Sequence, residues 1–281
     1  MTRNASRRPP ILEDLQSRAS SQPARRKPPS ARSQLVRSRV FGRHDRLGSA
    51  EVRAVMRRVA AGDPASLLGL APMEGLTAAE VAQVARDVWG WDSGDSSVSM
   101  SPDLGIAAFE AARERVVDVA KRGGRIAIGT TRPASLLGIH LGFARLAKSL
   151  GGDVLETPQA GPFDTSARVR ARLWWIEGVA VMTDGDGLLG DPSPASAREM
   201  LFDLPPPDLV VGDRGIAGGA AAAGVEVVAL ADLDAVALAV AASRGLPITV
   251  VPLNERRSPS SYAPLVKMLA AEDLKPENIP T

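Results

Sequence analysis

From Arg125 onward, aliphatic runs of three to six residues alternate with segments of helical length. No other feature narrows the fold as far. The runs are Ile126–Gly129, Val154–Glu156, Gly178–Thr183, Leu209–Gly212, Val225–Leu230 and Ile248–Leu253. Helical patterns separate or follow them at 133–150, 194–202, 215–223, 232–243 and 260–272. Runs that are apolar throughout are buried on both faces, and parallel neighbours need a crossover helix between them. The pattern therefore predicts an α/β chain, a Rossmann-like three-layer sandwich around a mainly parallel sheet.

Upstream, residues 49–122 read as a helical lead-in to the 123–281 core, giving one domain over 49–281. Apolar residues recur at helical spacing from Ala50 to Ala61, and a further helix is predicted from Pro102 to Arg122. Thr77-Ala-Ala-Glu80 matches a capping box, which starts a helix bearing Val81, Val84, Ala85 and Val88 on one face. Trp89 and Trp91 are expected in the core. Residues 1–48 are rich in Arg, Ser and Pro and hold 12 Lys/Arg against 3 Asp/Glu, whereas the rest holds 22 against 29. Such a segment buries little apolar surface, so a disordered basic arm is predicted, with His44 in or beside it and without a role. A nucleic-acid contact is expected only through this arm; the other reading is a solvated extension.

Composition excludes several classes. There is no cysteine, so disulfides and thiolate metal sites are ruled out, and the two histidines cannot form a zinc cluster. No run of about 18 apolar residues suggests a membrane span, and the N-terminus lacks the apolar stretch of a signal peptide. A cytoplasmic location is the expectation.

In sheets of this kind ligands bind beyond the carboxyl ends of the strands. The residues there are Thr130, Thr131 and Arg132; Asp184, Asp186 and Asp191; Asp213 and Arg214; Asp232 and Asp234; Asn254, Glu255 and Arg256. The stretch Arg125–His140 is the most informative, because a strand ends in Gly129, two threonines and an arginine follow, and Pro133 opens a helix. Backbone N–H groups, hydroxyls and a guanidinium then converge where a helix N-terminus attracts anions. Thr130, Thr131, Arg132, Arg214 and Asn254 are expected to hold a phosphorylated small molecule. Asp184, Asp213 and His140 are the candidate catalytic groups. Asp184, Asp186 and Asp213 could share a Mg²⁺, since carboxylates gathered at one place repel without a cation. The plainer alternative is that each aspartate caps a helix or shapes a turn.

Two local likenesses fail on spacing. Thr183-Asp-Gly-Asp-Gly187 resembles the first motif of haloacid-dehalogenase phosphatases, but Asp184 and Asp213 are 29 residues apart, too close for the intervening motifs. Gly215, Gly218 and Gly219 do not keep a dinucleotide fingerprint. A broader likeness runs from Arg125 to about Leu269. The Ala-Ile-Gly loop before Leu136-Leu-Gly-Ile-His140, the segment Asp208-Leu-Val-Val-Gly-Asp-Arg-Gly-Ile-Ala-Gly218, Ala231-Asp232 and the stretch Val251–Pro264 resemble a family of actinobacterial phosphatases. The resemblance implies a phosphatase-like hydrolase acting on a small phosphorylated metabolite. It also implies histidines near Thr130, at the position of Arg214, and near Asp191 to Pro194, and none stands there. Losing them removes proton carriers but leaves anion-binding groups. The competing expectation is therefore a catalytically silent anion-binding or regulatory protein.

Overall fold

The computed structural model describes residues 29–157, 160–202 and 204–270. The chain divides into units Met1–Ser30 and Ala31–Thr281, and the elements described belong to the second. First come α1 (Ala31–Arg37), β1 (Gly42–Arg43), α2 (Ser49–Ala60), α3 (Pro64–Leu67), α4 (Ala78–Trp89), β2 (Ser99–Met100) and α5 (Pro102–Lys121). The alternating part is β3 (Arg125–Thr130), α6 (Pro133–Ser149), β4 (Asp153–Val154), β5 (Ala160–Asp164), β6 (Arg170–Ile176), β7 (Val179–Thr183), β8 (Leu188–Leu189) and α7 (Ala195–Phe202). It continues with β9 (Leu209–Asp213), α8 (Arg214–Ala222), β10 (Val227–Ala231), α9 (Val236–Ser243), β11 (Ile248–Pro252) and α10 (Ala263–Leu269).

The large sheet runs β11-β10-β9-β3-β7-β6-β5, with β4 beside β3 and β8 beside β7. Strands β11, β10, β9, β3 and β7 are mutually parallel, as are β3 and β4. The ladders β7–β6, β6–β5 and β7–β8 are antiparallel. The sheet is therefore mixed, which corrects the expected mainly parallel, Rossmann-like arrangement. The sequence carries the reason. In β6, Arg170, Arg172 and Trp174 are exposed while Ala171 and Leu173 are buried, the alternation of an antiparallel strand with one wet face. The next strand follows a two-residue turn in which Glu177 and Gly178 both have positive φ, 51° and 96°. Two such residues make the turn whose twist suits a hairpin.

Strand residues alternate strictly between two apolar layers. Ile126, Ile128, Val179, Val181, Leu209 and Val211 pack with α1, α5, α6 and α10. Ala127, Ala180, Met182, Val210, Ala229 and Ala231 pack with α2, α3, α4, α8 and α9. The second face carries smaller side chains, so its helices come close. A Cβ on Gly218 of α8 would lie 2.1 Å from the carbonyl oxygen of Leu68. The glycine-rich run at 215–224 thus serves helix packing. Counted from β3, the parallel strands lie in the order 2-1-3-4-5. The chain leaves β3 toward β7 on one side and returns to β9 on the other, and the strand ends between β3 and β9 form the switch point where such sheets hold ligands.

Part of the arm predicted over 1–48 is folded, because α1 starts at Ala31 and the chain after it packs into the core. Leu35, Val40, Phe41, His44 and Leu47 are all buried. These apolar residues dock singly along a strap, so they leave no periodic signal. Residues 1–28, which carry most of the expected basic arm, lie outside the described part. The capping box is present, with Thr77 and Glu80 each bonded to the other's backbone N–H. Trp89 and Trp91 are buried, with indole N–H groups on the carbonyls of Ala231 (3.3 Å) and Ser97 (3.0 Å). Among the described residues no helix is long and apolar enough to cross a membrane.

Candidate anion-binding site

The expected convergence exists at the ends of β3, β9, β10 and β11, although not every expected member joins it. Strand β3 delivers Thr130 and leads directly into Thr131 and Arg132, and β9 delivers Asp213 beside them. The Thr130 hydroxyl donates to Asp213 Oδ2 at 2.5 Å, and the Thr131 N–H donates to Asp213 Oδ1 at 2.9 Å. The Thr131 hydroxyl also donates to Oδ1. Thr130 Oγ1 in turn accepts the Arg132 N–H at 3.0 Å. Asp213 is fully buried, and its carboxylate locks the Thr-Thr-Arg loop across the switch point.

His140 stands behind this carboxylate and is also fully buried. Its Nδ1 lies 3.0 Å from the Leu136 carbonyl and so carries the proton, while Nε2 lies 3.8 Å from Asp213 Oδ2 without a hydrogen-bond partner. Burial pushes the imidazole below its ordinary pKa, against the pull of Asp213. A neutral ring with one unmatched nitrogen therefore faces the carboxylate from the core.

The N-termini of α6 and α8 meet here, and neither is capped by a side chain. The residue before α6 is Arg132, and the Asp213 side chain before α8 is turned toward the threonines. Arg214 opens α8 with φ +40°, an uncommon conformation for a residue with a Cβ. A Cβ on the following Gly215 would sit 2.1 Å from the Ser193 carbonyl oxygen, so only glycine lets the 190–194 loop close over this helix end.

Charged groups hold the two arginines in place. Arg214 Nε donates to Glu255 Oε2 at 2.8 Å and its Nη2 to Asp234 Oδ1 at 2.5 Å. Arg132 Nε lies 2.7 Å from the same Glu255 oxygen. Arg256 donates to Asp234 Oδ2 at 2.6 Å, and the Asp232 N–H donates to Glu255 Oε1 at 3.1 Å. Burial raises the Glu255 carboxyl, with Arg214 and Arg132 pulling the other way. Burial also opposes ionisation of Asp234, but the guanidiniums prevail and hold it below the usual range. Three guanidiniums thus meet the carboxylates of Glu255 and Asp234, with Asp213 and the cavity-lining Asp191 close by, so the arginines here are held within a network of opposite charges.

A cavity of about 210 Å³ opens at the meeting point, lined by Thr131, Arg132, Pro133, Ala134, Ser135, Leu188, Gly190, Asp191, Pro192 and Arg214. Burial works against the Asp191 charge, yet four hydrogen bonds from Ser166 and Ser193 hold its carboxyl below the usual range. Asp191 thus builds the wall by tying the turn at Ser166 to the loop at Ser193. Sequence reasoning placed Asp191 after a strand without giving it a role, and left Glu255 beside Asn254 as a strand-end residue. Strand-end position was the available signal for both.

Other expected members stand elsewhere. Asp184 and Asp186 are exposed, and Asp184 Oδ1 accepts the N–H groups of Asp186 (3.0 Å) and Gly187 (2.9 Å), which shapes the turn before β8. The set Asp184, Asp186 and Asp213 is not assembled as a cation site. Among the described residues no group of three or more His, Asp or Glu could hold a metal ion. Asn254 is buried and structural, because its amide donates to the Arg39 carbonyl at 3.1 Å and accepts the Arg256 N–H at 2.9 Å. His44, expected to have no role, is buried too. Its Nδ1 accepts the N–H groups of Arg46 and Leu47, so Nε2 carries the proton to Asp232 Oδ2 at 3.0 Å.

Fold and site together define a mixed α/β protein with a pocket at its strand switch point, lined by Arg132, Arg214 and Asp191. A family model described as Phosphatase matches residues 29–274, and the chain belongs to that family. The match begins where the folded unit begins. Phosphatase SCO2771 of Streptomyces coelicolor is 32% identical over 180 residues, which span 62% of this chain and 67% of that protein.

Proposed function

We propose that this chain is a phosphatase that hydrolyses the phosphate ester of a small metabolite in the cavity between the N-termini of α6 and α8. The observation that carries the reading is the pairing of Arg132 and Arg214 on the rim of that cavity, beside two helix ends without side-chain caps. Both guanidiniums neutralise the charge of the phosphoryl group, and the helix ends add their positive dipoles. Thr131 lines the cavity and hands its hydroxyl proton to Asp213, so its oxygen is free to accept a proton from an attacking water. The new bond is water oxygen to phosphorus; the bond that breaks is phosphorus to ester oxygen, and the departing alkoxide takes a proton from solvent water at the open cavity mouth and leaves as the alcohol. Asp213 is the proton acceptor at the end of this relay, and His140 supports it from the core.

A second reading has its own observation. Every carboxylate near the cavity is already engaged: Asp213 by two threonines, Asp191 by two serines, Glu255 by two arginines. Such a site suits an anion binder without turnover. A panel of phosphomonoesters, assayed with and without Mg²⁺, separates the two. Turnover that falls in Asp213→Asn and Thr131→Val supports the enzyme; phosphate-induced thermal stabilisation without turnover supports the binder.

A further inference from the structure

A second cavity, of about 600 Å³, lies on other elements and does not depend on the phosphatase reading. The loop after β1 and the segment before β2 enclose it, and its polar lining includes Arg39, Arg43, Asp45, Arg46, Ser49 and Ser97. Helix α2 begins in this wall. It has 12 residues, and its N-cap is Gly48, which offers no side chain to the first turn. Ser49, the first helical residue, is only 6% exposed, yet its Oγ has no hydrogen-bond partner. A buried hydroxyl left unmatched is costly and uncommon, so it calls for an explanation. The surrounding charge gives one. Arg39 and Arg257 both pair with Asp45 at 2.8 Å. The side chains of Arg43 and Arg46 form no hydrogen bond or ion pair among the described residues, and both residues are exposed. The opposing charges are Asp45, which also lines the cavity and is held by Arg39 and Arg257, and Glu51 in the first turn of α2.

We propose that this cavity binds a phosphate-bearing small molecule, with the phosphate seated on the first turn of α2, between Arg43 and Arg46, and accepting from the Ser49 hydroxyl. A phosphate fits better than a carboxylate because donors converge from three directions: a helix end, a hydroxyl and two guanidiniums. The geometry also accounts for the absence of a capping side chain at residue 48.

Titration calorimetry of the full chain with pyrophosphate tests this in a Thr131→Val/Arg132→Ser background, which weakens the first cavity. Pyrophosphate should still bind, and adding Arg43→Ser/Arg46→Ser should weaken binding about tenfold or more, as expected for losing charge-assisted contacts. Ser49→Ala is the second variant. It should keep or raise Tm in phosphate-free buffer, since it removes an unmatched hydroxyl, while weakening pyrophosphate binding several-fold. No binding in the background protein overturns the proposal, as does affinity unchanged by both the arginine pair and Ser49→Ala. The residues before Ala31 are common to all these proteins and cannot produce the difference. If Thr131→Val/Arg132→Ser alone changes nothing, the first cavity's reading fails while this comparison stands.

Discussion

Asp213 has both carboxylate oxygens occupied by neighbouring threonines, and this decides its chemistry. It cannot reach into the cavity as a free nucleophile, so it acts through the Thr131 hydroxyl or not at all. Asp213→Asn should lower turnover about a hundredfold or more, the usual loss for a proton acceptor, with substrate affinity much less changed. Steady-state kinetics on a folded variant check this. His140 makes a prediction about pH. Burial lowers its pKa, so the unfolded chain takes up the proton first. Its contribution to stability is complete above about 6.5, the unfolded value, and is lost as pH falls toward the folded value. One such group steepens the loss by at most about 1.4 kcal/mol per pH unit. Denaturant titrations from pH 7.5 to 5.5 should show a shallower slope for His140→Gln. Glu255, whose carboxyl is raised, acts in the opposite sense, so the comparison with the variant isolates the histidine.

At the scale of elements, three of the helix ends without a side-chain cap stand beside cavities. Helices α3, α4 and α5 are capped by Asp63, Thr77 and Ser101, whereas α2, α6, α8, α9 and α10 lack a side-chain cap, and of these α2, α6 and α8 begin beside cavities. The end of α8 depends on Gly215. Gly215→Ala would force the Ser193 carbonyl away, and should cost about 1–3 kcal/mol of stability together with phosphate affinity. A chemical denaturation curve measures the first part. Much of this scale was readable beforehand. Continuous apolar runs gave β3, β7, β9, β10 and β11, because parallel strands buried on both faces leave that signature. The hairpin partner β6 was missed although Arg170-Ala-Arg-Leu-Trp174 alternates, since its turn, Glu177-Gly178, is a weaker signal than Asn-Gly. The strand-end rule marks Thr130, Thr131, Arg132, Asp213 and Arg214, and the structure brings these five together. It failed for Asn254, Asp184 and Asp186, because the same position serves caps and turns, and sequence order does not say which side chain turns inward.

For the molecule as a whole, the folded unit begins earlier than composition suggested. An arginine- and serine-rich stretch masks Leu35, Val40 and Phe41, each buried singly, and His44, buried against Asp232. A truncation after residue 28 is the reference, since it keeps every buried residue just named. Deleting residues 1–48 strips several buried large side chains and should cost several kcal/mol, on the scale of about 2–5 kcal/mol per large core residue lost. Thermal unfolding of the two truncations decides where the domain starts. The central claim is that the rim between α6 and α8, with Arg132 and Arg214, holds the phosphate. A crystal structure with bound vanadate or phosphate tests it most directly. The account predicts the anion within hydrogen-bond distance of Arg132, Arg214 and the first turn of α6, beside Thr131 Oγ1. Density for the anion only elsewhere, with this cavity empty at concentrations that saturate binding, would contradict it.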